Sequence, residues 1–504
     1  MTIKNTYCVA IIGTGFGGLG MAIQLKQAGI DDFVILEKAA SVGGVWRENS
    51  YPGAACDVPS HLYSFSFEPN PSWTRKFSPQ PEIKRYLEHC ERKYGLNAHI
   101  RFNTFVQTAV FEQALDSWEI TTSTGDTINA KLLVKATGQL SQLAIPKLPG
   151  LEQFAGKQFH SAHWDHDYDL QGKRVAIVGT GASALQFIPH VVEQAAEVTV
   201  FQRTSPWVIP KPDRPYTKLE RWLFKHLPLA AKFERNKIYW SLEWRFAALS
   251  ANNWAAPIFN WVANRQRRKQ VKDPALQQKL TPDYPLGCNR ILLSNNYYSA
   301  LSRDNVEVVA ESVKSVTGDG VVSESGETYP VDAIIFGTGF AATEFVSPMT
   351  IVGLDGQDLN QRWAEGAEAY YGMTVSGFPN FFMLYGPNTN LGHNSIIFML
   401  ESQIAYVLQC VKALRDKRFT RMDLLGERMR QFNQQVQAKA NKAVWNAGCN
   451  SWYRHESGKN TNNWPDFTLR YRALTRRVNF ADYQLQSTPD IDHSADNPKE
   501  EQAA

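Results

Sequence analysis

The sequence lacks the features that mark a secreted, membrane-spanning or nucleic-acid-binding protein. Its 504 residues include only six cysteines, all far apart and without a C-x-x-C pair, so a disulfide framework, a zinc ribbon and a redox-active dithiol are not indicated. No run of 18 apolar residues occurs, so no membrane-spanning helix is expected. The formal net charge of only +4 does not point to nucleic acid.

The start of the chain and its composition indicate an ordinary globular protein. The short apolar run over residues 7–12 ends in glycines instead of the small-residue cleavage site of a secretory signal, so a strand is expected there. Hydrophobic residues make up 43% and charged residues 20% of the chain, as in globular proteins. The length predicts two or three domains, and the cysteine pattern favours a reducing, cytoplasmic setting.

The first predicted strand leads into a glycine turn that is typical of a dinucleotide-binding fold. Residues 9–12 are followed by Gly13, Gly15 and Gly18 and then by a helical stretch. The first glycine permits the tight turn, the second lets a pyrophosphate approach the backbone, and the third lets the helix pack on the strand. One such pattern is weak evidence. However, the next strand ends in Glu37, 22 residues after Gly15, where a carboxylate can bind ribose hydroxyls.

The same pattern recurs further along the chain with one difference. A strand over residues 174–178 leads into Gly179 and Gly181, and Arg203 stands 22 residues after Gly181. An arginine suits a ribose 2′-phosphate, whereas a carboxylate suits a free ribose. The first turn is therefore predicted to bind FAD and the second NADPH. A solvated arginine after a strand is the competing explanation for Arg203.

The two turns predict an α/β protein with two Rossmann-like dinucleotide-binding domains, the second inserted in the first. The first part of the FAD domain is assigned to residues 1–145, the NADPH domain to 146–332 with a helical excursion at about 210–280, and the second part of the FAD domain to 333–486. The strand over residues 333–336 is expected to return the chain to the first domain. The tail over residues 487–504, rich in Asp, Glu, Pro and Ala, is predicted to be disordered.

Two further motifs carry a family resemblance. The spacing F-x-G-x-x-x-H-x-x-x-W-D is met between the two turns by Phe154, Gly156, His160, Trp164 and Asp165. A second motif consists of Gly43, Gly44, Trp46, Tyr51, Pro52, Gly53 and Asp57. With these motifs the sequence resembles the type I Baeyer–Villiger monooxygenases, a family of class B flavoprotein monooxygenases, over about residues 7–483.

The resemblance implies an FAD-dependent enzyme that consumes NADPH and O2 and converts ketones to esters or lactones. NADPH reduces FAD, the reduced flavin captures dioxygen as a C4a-peroxide, and this species attacks the ketone carbonyl. The protein must hold the cofactors, exclude water and stabilise negative charge. Arg290 matches the family's active-site arginine, whose charge does not titrate away, and Asp57 matches its carboxylate partner. An ordinary ion pair between domains is the alternative for these two residues.

The glycine turns and the resemblance together assign the cofactor-binding residues. For FAD these are Gly13, Gly15, Gly18, Glu37, Val45, Trp46, Asp57, Tyr63, Val106 and Gly138. For NADPH they are Gly179, Thr180, Gly181, Ser183, Ala184, Arg203 and Thr204. Two positions depart from the family pattern: Asn289 stands where many members have a lysine, and Ala55 where many have an arginine. NADPH preference is therefore expected to depend mainly on Arg203.

Three other segments have competing explanations. His160, His163 and His166 recur every third residue, but no second cluster completes a ligand set, and we predict no metal. Six of the 14 tryptophans lie between Trp207 and Trp261 among Lys and Arg residues. Helices packed on the NADPH domain are favoured there over an amphipathic surface in weak peripheral contact with a membrane. By resemblance, the loop over residues 385–395 lies near the flavin, and the apolar residues 396–399 suggest either a pocket wall or a buried helix face.

Other functions use similar cofactors. Oxygen transfer to nitrogen or sulfur is the nearest alternative, followed by an NADPH–flavin reductase and by a flavoprotein without activity. Trp164, Asp165 and Arg290 favour ketone oxygenation, and the lack of a C-x-x-C pair speaks against a disulfide reductase. The expected partners are a small-molecule ketone and O2, with no nucleic acid, no transmembrane segment and no obligatory protein partner.

Overall fold

The computed structural model describes residues 5–249, 254–416, 418–446 and 454–487. The predicted disordered tail, from residue 488 on, lies outside the described residues. In chain order the strands are β1 Thr6–Ile12, β2 Phe33–Leu36, β3 Ile100–Arg101, β4 Val106–Glu112, β5 Ser117–Thr122, β6 Thr127–Lys135, β7 Lys157–His160, β8 Arg174–Val178, β9 Glu197–Phe201, β10 Val208–Ile209, β11 Leu292–Leu293, β12 Val306–Val309, β13 Val313–Val316, β14 Gly320–Ser323, β15 Thr328–Pro330, β16 Ala333–Phe336, β17 Thr350–Val352, β18 Phe381–Met383, β19 Arg421–Leu424 and β20 Tyr483–Gln486.

The α-helices are separated from the strands by loops and short 3₁₀ turns. In chain order they are α1 Phe16–Gln27, α2 Val45–Glu48, α3 Gln80–Lys93, α4 Ala182–Val192, α5 Lys218–His226, α6 Pro228–Leu249, α7 Ala256–Gln270, α8 Pro274–Lys279, α9 Tyr297–Leu301, α10 Leu359–Arg362, α11 Ile396–Arg415, α12 Gly426–Ala440 and α13 Thr468–Leu474.

The first sheet carries the first glycine turn. Its strand order is β17-β4-β5-β6-β1-β2-β3, and β18 also pairs with β6. The parallel register places Ile11 beside Ile35 on one side and Val134 on the other. All three side chains are fully buried, as expected for a parallel sheet that is covered on both faces. β4 and β5 extend this sheet in antiparallel fashion.

The second sheet carries the second glycine turn and is parallel throughout, in the order β12-β9-β8-β16-β7. The expectation that residues 333–336 return the chain to the first domain is wrong, because β16 pairs with β8 and β7. The boundary drawn at residue 332 therefore falls inside the second sheet. β16 lies beside β8 as β6 lies beside β1, which explains why both strands end in a similar Thr-Gly sequence.

The chain re-enters the first sheet after β16. β17 pairs in parallel with β4, and β18 pairs in parallel with β6. The strands of the second sheet therefore lie, in sequence, between strands of the first. The predicted fold class, two Rossmann-like domains with the second inserted in the first, is confirmed.

The helical excursion divides its contacts between the two domains. α5 and α6 contribute Phe224, Ile238, Tyr239 and Leu242 to the core of the first domain, whereas α7 packs Ala263 into a small separate cluster that also includes Trp207 and Leu286. The expectation that the whole excursion packs on the NADPH domain is therefore wrong for α5 and α6. The breaks predicted at Pro228 and Pro257 lie at the starts of α6 and α7, where proline is tolerated.

Helix α11 is long and apolar enough to cross a membrane by length and composition. However, 67% of its apolar stretch is buried inside the fold. It packs so closely on α1 that a Cβ atom added to Gly20 would lie 2.9 Å from the Ile404 side chain. α11 therefore has the character of a core helix, and Ile397 and Met399 belong to its buried face.

Candidate active site

The first glycine turn joins β1 to α1 and leaves no room for side chains at two positions. Gly13 has φ +100°, and a Cβ atom added there would lie 2.9 Å from the carbonyl oxygen of Ala136. A Cβ atom on Gly18 would lie 1.9 Å from the carbonyl oxygen of Gly13. Gly15 is the N-cap residue directly before α1, so the positive end of the helix lies at the turn. These features fit the pyrophosphate of a dinucleotide.

Glu37 follows β2 at the same edge of the sheet and is held by the turn itself. Its Oε2 accepts hydrogen bonds from the backbone nitrogen (2.9 Å) and the hydroxyl (2.6 Å) of Thr14. Its Oε1 accepts from the nitrogen of Ala39 at 3.0 Å and lies 3.2 Å from Arg47 Nη1. The carboxylate is therefore fixed beside the glycine turn, in the position that the predicted contact with a ribose requires.

The other residues predicted to bind FAD lie in α2, in the loop after it and at the ends of two strands of the same sheet. Trp46, next to Val45 in α2, donates from Nε1 to the Tyr63 hydroxyl at 3.1 Å. Val106 begins β4 and is buried. Gly138 follows β6 with φ +72°, close to the Ala136 carbonyl that approaches Gly13. The first domain thus brings together side chains that are far apart in the sequence.

The second glycine turn repeats this geometry between β8 and α4. Gly179 has φ +100°, and Gly181 is the residue at which α4 begins. Thr180 donates from its hydroxyl to the Thr204 carbonyl at 3.4 Å, and Ser183 lies in the first turn of α4, partly buried. Ala184 is fully buried, and a Cβ atom on Gly337 would lie 2.9 Å from its methyl group. Ala184 therefore serves the packing of α4 on the sheet.

Arg203 and Thr204 are exposed directly after β9, at the edge of the second sheet where the glycine turn lies. Among the described residues no carboxylate forms an ion pair with Arg203. Its guanidinium is therefore accessible to a ligand that binds the second turn. Together with the glycine turn, this arrangement fits a dinucleotide that carries a phosphate on its ribose.

Asp57 and Arg290 form an ion pair at the junction of the two domains. Arg290 donates from Nε and Nη2 to the same oxygen, Asp57 Oδ2, at 3.0 and 2.5 Å. Burial opposes ionisation of Asp57, but Arg290 and Lys211 outweigh this effect and lower the pKa of its carboxyl below the ordinary value. Both partners of the pair are therefore charged at neutral pH.

Lys211, beside this pair, belongs to no motif in the sequence. Burial lowers the pKa of Lys211, while Asp213, Cys56 and Asp57 act in the opposite direction. Lys211 places a second positive charge near Asp57, in addition to that of Arg290. The residue before Arg290 is the uncharged Asn289. Lys211 lies near Asp57 only because the residues after β10 fold toward the first domain.

Gln186, in α4, connects the second domain to the loop that precedes Asp57. Its side-chain amide donates to the carbonyl of Ala55 at 2.9 Å, and its oxygen accepts from the Tyr51 hydroxyl at 3.0 Å. A Cβ atom on Gly53 would lie 2.6 Å from the carbonyl of Gln186. The close contact with α4 therefore explains the glycine of this motif, and the backbone of Ala55 is held by the Gln186 side chain.

The residues of the F-x-G-x-x-x-H-x-x-x-W-D motif lie before β7, at its end and in the turn that follows it. Phe154 is buried, and a Cβ atom on Gly156 would lie 2.4 Å from the carbonyl of Asp332. His160 ends β7 and accepts at Nδ1 from the nitrogen of Ala162 at 3.1 Å. The Trp164 ring packs on Phe187 of α4, with ring centroids 5.3 Å apart. These residues attach the segment over residues 154–164 to the second sheet.

Asp165, the last residue of this motif, lies at the protein surface. It forms an ion pair with Lys157 of β7 at 2.5 Å and accepts a hydrogen bond from the nitrogen of Asp167 at 3.0 Å. His166, the last of the three regularly spaced histidines, lies 2.8 Å from the Ser50 hydroxyl. Within the described residues no group of His, Cys, Asp and Glu side chains could hold a metal ion.

The loop over residues 385–395 is held by a second segment of polar residues near the carboxyl terminus. Asn388 donates to the carbonyl of Asn460 at 2.8 Å, and Asn390 donates to the side chain of Asn463 at 2.9 Å. Asn462 accepts from Gln139 at 2.9 Å, next to Gly138. Residues 460–463 carry no motif in the sequence and become part of the site only through these long-range contacts.

Buried histidines predict an acid-sensitive fold. Burial lowers the pKa of His61 and His160 to about 4 and that of His393 to about 3. Below the ordinary pKa of 6.5, the unfolded chain takes up protons at these positions, whereas the folded chain does so only near pH 4. The free energy of unfolding should therefore fall as the pH decreases from 7 to 5, by about 2 kcal/mol for each histidine.

Thermal unfolding at pH 7 and pH 5 measures this effect. The variant His160→Gln should lose less stability over this range than the unchanged protein, because one of the three groups is removed. His226→Gln provides the control, since His226 is exposed. Equal pH dependence of the His160 variant and the unchanged protein would contradict the assignment.

The fold and the site define a flavin-dependent oxidoreductase with separate folds for FAD and for a pyridine nucleotide. The family model described as pyridine nucleotide-disulphide oxidoreductase matches residues 10–239. A Baeyer-Villiger monooxygenase of Pseudomonas aeruginosa is 48% identical over 483 residues, which cover 95% of this chain and 92% of the relative. The chain belongs to the Baeyer–Villiger monooxygenase family.

Solved structures agree with this membership. An oxidized steroid monooxygenase bound to NADP superimposes with a TM-score of 0.85 at 30% identity, covering 96% of this chain and 100% of that one. The complex of OTEMO with FAD and NADP gives a TM-score of 0.86 at 28% identity, covering 95% and 99%. The prediction of an FAD- and NADPH-dependent monooxygenase of the Baeyer–Villiger type, which converts ketones to esters or lactones, is confirmed.

Proposed function

We propose that Arg290 is the residue with which this enzyme stabilises negative charge during the conversion of a ketone to an ester or lactone. The observation that carries the proposal is the ion pair of Arg290 with Asp57, formed between a loop of the first domain and the second domain. A guanidinium fixed in this place stabilises charge on the attacking oxygen and on the former carbonyl oxygen. FAD, when reduced by NADPH, supplies the activation of dioxygen.

Asp57 acts through Arg290. Because two of the three guanidinium nitrogens donate to one carboxylate oxygen, the plane and direction of the guanidinium are fixed before substrate arrives. Such preorganisation reduces the reorganisation that charge development would otherwise require. Lys211 adds positive charge nearby and helps to keep Asp57 ionised.

Product analysis tests the proposed reaction directly. Purified protein with bound flavin would be incubated with NADPH, O2 and a panel of linear, cyclic and aryl ketones, thioethers and amines. Esters or lactones in the mass spectra are the expected result. Sulfoxides or N-oxides alone would instead assign oxygen transfer to sulfur or nitrogen, and NADPH oxidation without any oxygenated product would indicate a reductase.

Arg203 is proposed to bind the 2′-phosphate of NADPH. Replacing Arg203 with alanine should raise the KM for NADPH by about 10- to 100-fold, because a charge-assisted contact contributes ~1.5–3 kcal/mol. The KM for NADH should change little, since NADH lacks this phosphate. Steady-state kinetics with both nucleotides provide the measurement. Arg303→Ala, an exposed arginine of the same domain, is the control, and equal effects on both nucleotides would remove the proposed role.

The cytoplasmic setting stays a prediction. The buried free thiols of Cys8, Cys56, Cys90 and Cys410 agree with a reducing compartment. Cys288, two residues before Arg290, is disulfide-bonded, which speaks against a reducing compartment, and the cysteine spacing in the sequence does not predict this bond.

A further inference from the structure

The helical excursion exposes an unusual number of large apolar side chains. We define the aromatic face as Leu229, Phe233, Trp240, Trp244, Trp254 and Trp261. Its four tryptophans are between 55% and 65% exposed, and Leu229 and Phe233 are 78% and 71% exposed. Trp222 of α5 is also 54% exposed. Scattered exposed apolar residues are ordinary, but a contiguous group of this size marks an interaction surface.

The aromatic face is continuous across two helices. Residues 229, 233, 240 and 244 recur at intervals of four, seven and four, which places them on one side of α6. Trp244 contacts Trp254, with ring centroids 6.4 Å apart. Trp261 follows on α7, where the Arg265 guanidinium lies 5.2 Å from its ring. The face therefore extends from the start of α6 into α7.

The opposite side of α6 is packed against the active-site region. Tyr239 stacks on Phe398 of α11 with ring centroids 4.9 Å apart. Glu243 accepts a hydrogen bond from Asn394 at 2.8 Å, and Arg235 donates to the carbonyl of His61 at 2.9 Å. These contacts hold α6 in place without using the aromatic face. Stability of the fold thus does not account for the exposed tryptophans.

The charge around the aromatic face is predominantly positive. Exposed basic side chains lie on the same helices, among them Lys225, Lys232, Arg265, Arg268 and Lys269. Within the described residues of 218–246 and 254–272, no Asp or Glu is exposed. The three acids in these ranges are engaged: Glu220 with Arg214, Glu234 with Lys237, and Glu243 in the buried contacts above.

We propose that the aromatic face docks on an anionic lipid bilayer. Tryptophan prefers the boundary between head groups and acyl chains, and lysine and arginine are attracted to anionic head groups. A second copy of this chain would bring the same positive charge to the contact, so charge complementarity favours lipid. Because the other side of α6 contacts the loop over residues 385–395, a docked enzyme would receive lipophilic ketones from the bilayer. This last point rests on the proposed function, whereas docking does not.

Co-sedimentation with vesicles tests the docking without NADPH or ketone. The flavin-loaded enzyme should sediment with vesicles of phosphatidylcholine and phosphatidylglycerol, and much less with vesicles of phosphatidylcholine alone. The double variant Trp240→Ser/Trp244→Ser should bind at least ~10-fold more weakly, because two large apolar side chains are lost. Arg268→Glu/Lys269→Glu should weaken binding to the anionic vesicles. Leu115→Ser, an exposed leucine far from this face at 73% exposure, should bind like the unchanged enzyme.

Three results would overturn the proposal. The first is no sedimentation of the unchanged enzyme with anionic vesicles, and the second is equal sedimentation of the tryptophan variant. The third is self-association of the unchanged enzyme in sedimentation velocity that the tryptophan variant loses, with no vesicle binding by either protein. That third result would assign the aromatic face to a second copy of the chain. Flavin absorbance and thermal unfolding confirm that each variant is folded.

Discussion

Replacing Arg290 with alanine is expected to abolish ester and lactone formation while NADPH still reduces the flavin. The guanidinium is the fixed positive charge of the proposed reaction site, and removal of one such group commonly costs ~100- to 1000-fold in rate. Reduction depends on the two cofactor folds, which Arg290 does not build. Anaerobic stopped-flow absorbance measures flavin reduction, and mass spectrometry measures the product.

A matched control is available in the second domain. Arg174 forms an ion pair with Asp332 at 2.8 Å at a partly exposed position, so Arg174→Ala removes an arginine–aspartate pair away from the site. That variant should retain ester formation. Arg290→Lys should recover only a small part of the activity, because an ammonium group cannot reproduce the planar, two-nitrogen contact with Asp57. Normal ester yield from Arg290→Ala would show that the catalytic assignment is wrong.

Replacing Gly18 with alanine is expected to produce a protein without flavin. The added Cβ atom would lie 1.9 Å from the carbonyl oxygen of Gly13, so the backbone of the turn must move. A backbone shift that costs ~3 kcal/mol would weaken FAD binding by about 100-fold or more. The variant should therefore be purified colourless, and flavin released by denaturation measures its content.

Gly29 provides the control at the other end of the same helix. It has φ +70°, but a Cβ atom there would meet nothing within 4 Å. Gly29→Ala should therefore cost only about 1 kcal/mol of stability through backbone strain and retain its yellow colour. If Gly18→Ala bound flavin as well as Gly29→Ala does, the turn would not be the site of the dinucleotide.

The features that sequence patterns predicted correctly are those that depend on neighbours in the chain. Each glycine turn is a strand, a bend and a helix start within a few residues, and its geometry requires glycine at Gly13 and Gly179. The partner residues, Glu37 and Arg203, are a fixed distance further on because one helix separates two adjacent parallel strands. The fold class and both cofactors could be predicted from such units.

The features that were missed depend on contacts between distant segments. Gln186 and Lys211 belong to no motif, and only the approach of the two domains places them near Asp57. The sequence pattern places β16 in the wrong sheet because its residues resemble those of β6. Each of these strands lies beside the strand that leads into a glycine turn, but the pattern does not indicate which of the two sheets a strand joins. α6 could be predicted as a helix, but its pattern did not show which domain it covers.

The contacts of Gln186 attach the loop before Asp57 to the second domain. The loop over residues 51–57 belongs to the first domain by sequence, yet Gly53 and Ala55 are held against α4 of the second. Arg290 is attached to the second domain as well, because the nitrogen of Leu292 donates to the carbonyl of Trp207. Asp57 itself lies between Cys56 and Val58, which pack in the core of the first domain, and the nitrogen of Cys56 donates to the carbonyl of Ser78. The ion pair of Asp57 with Arg290 therefore links the two domains, and a rotation of one domain against the other would stretch it.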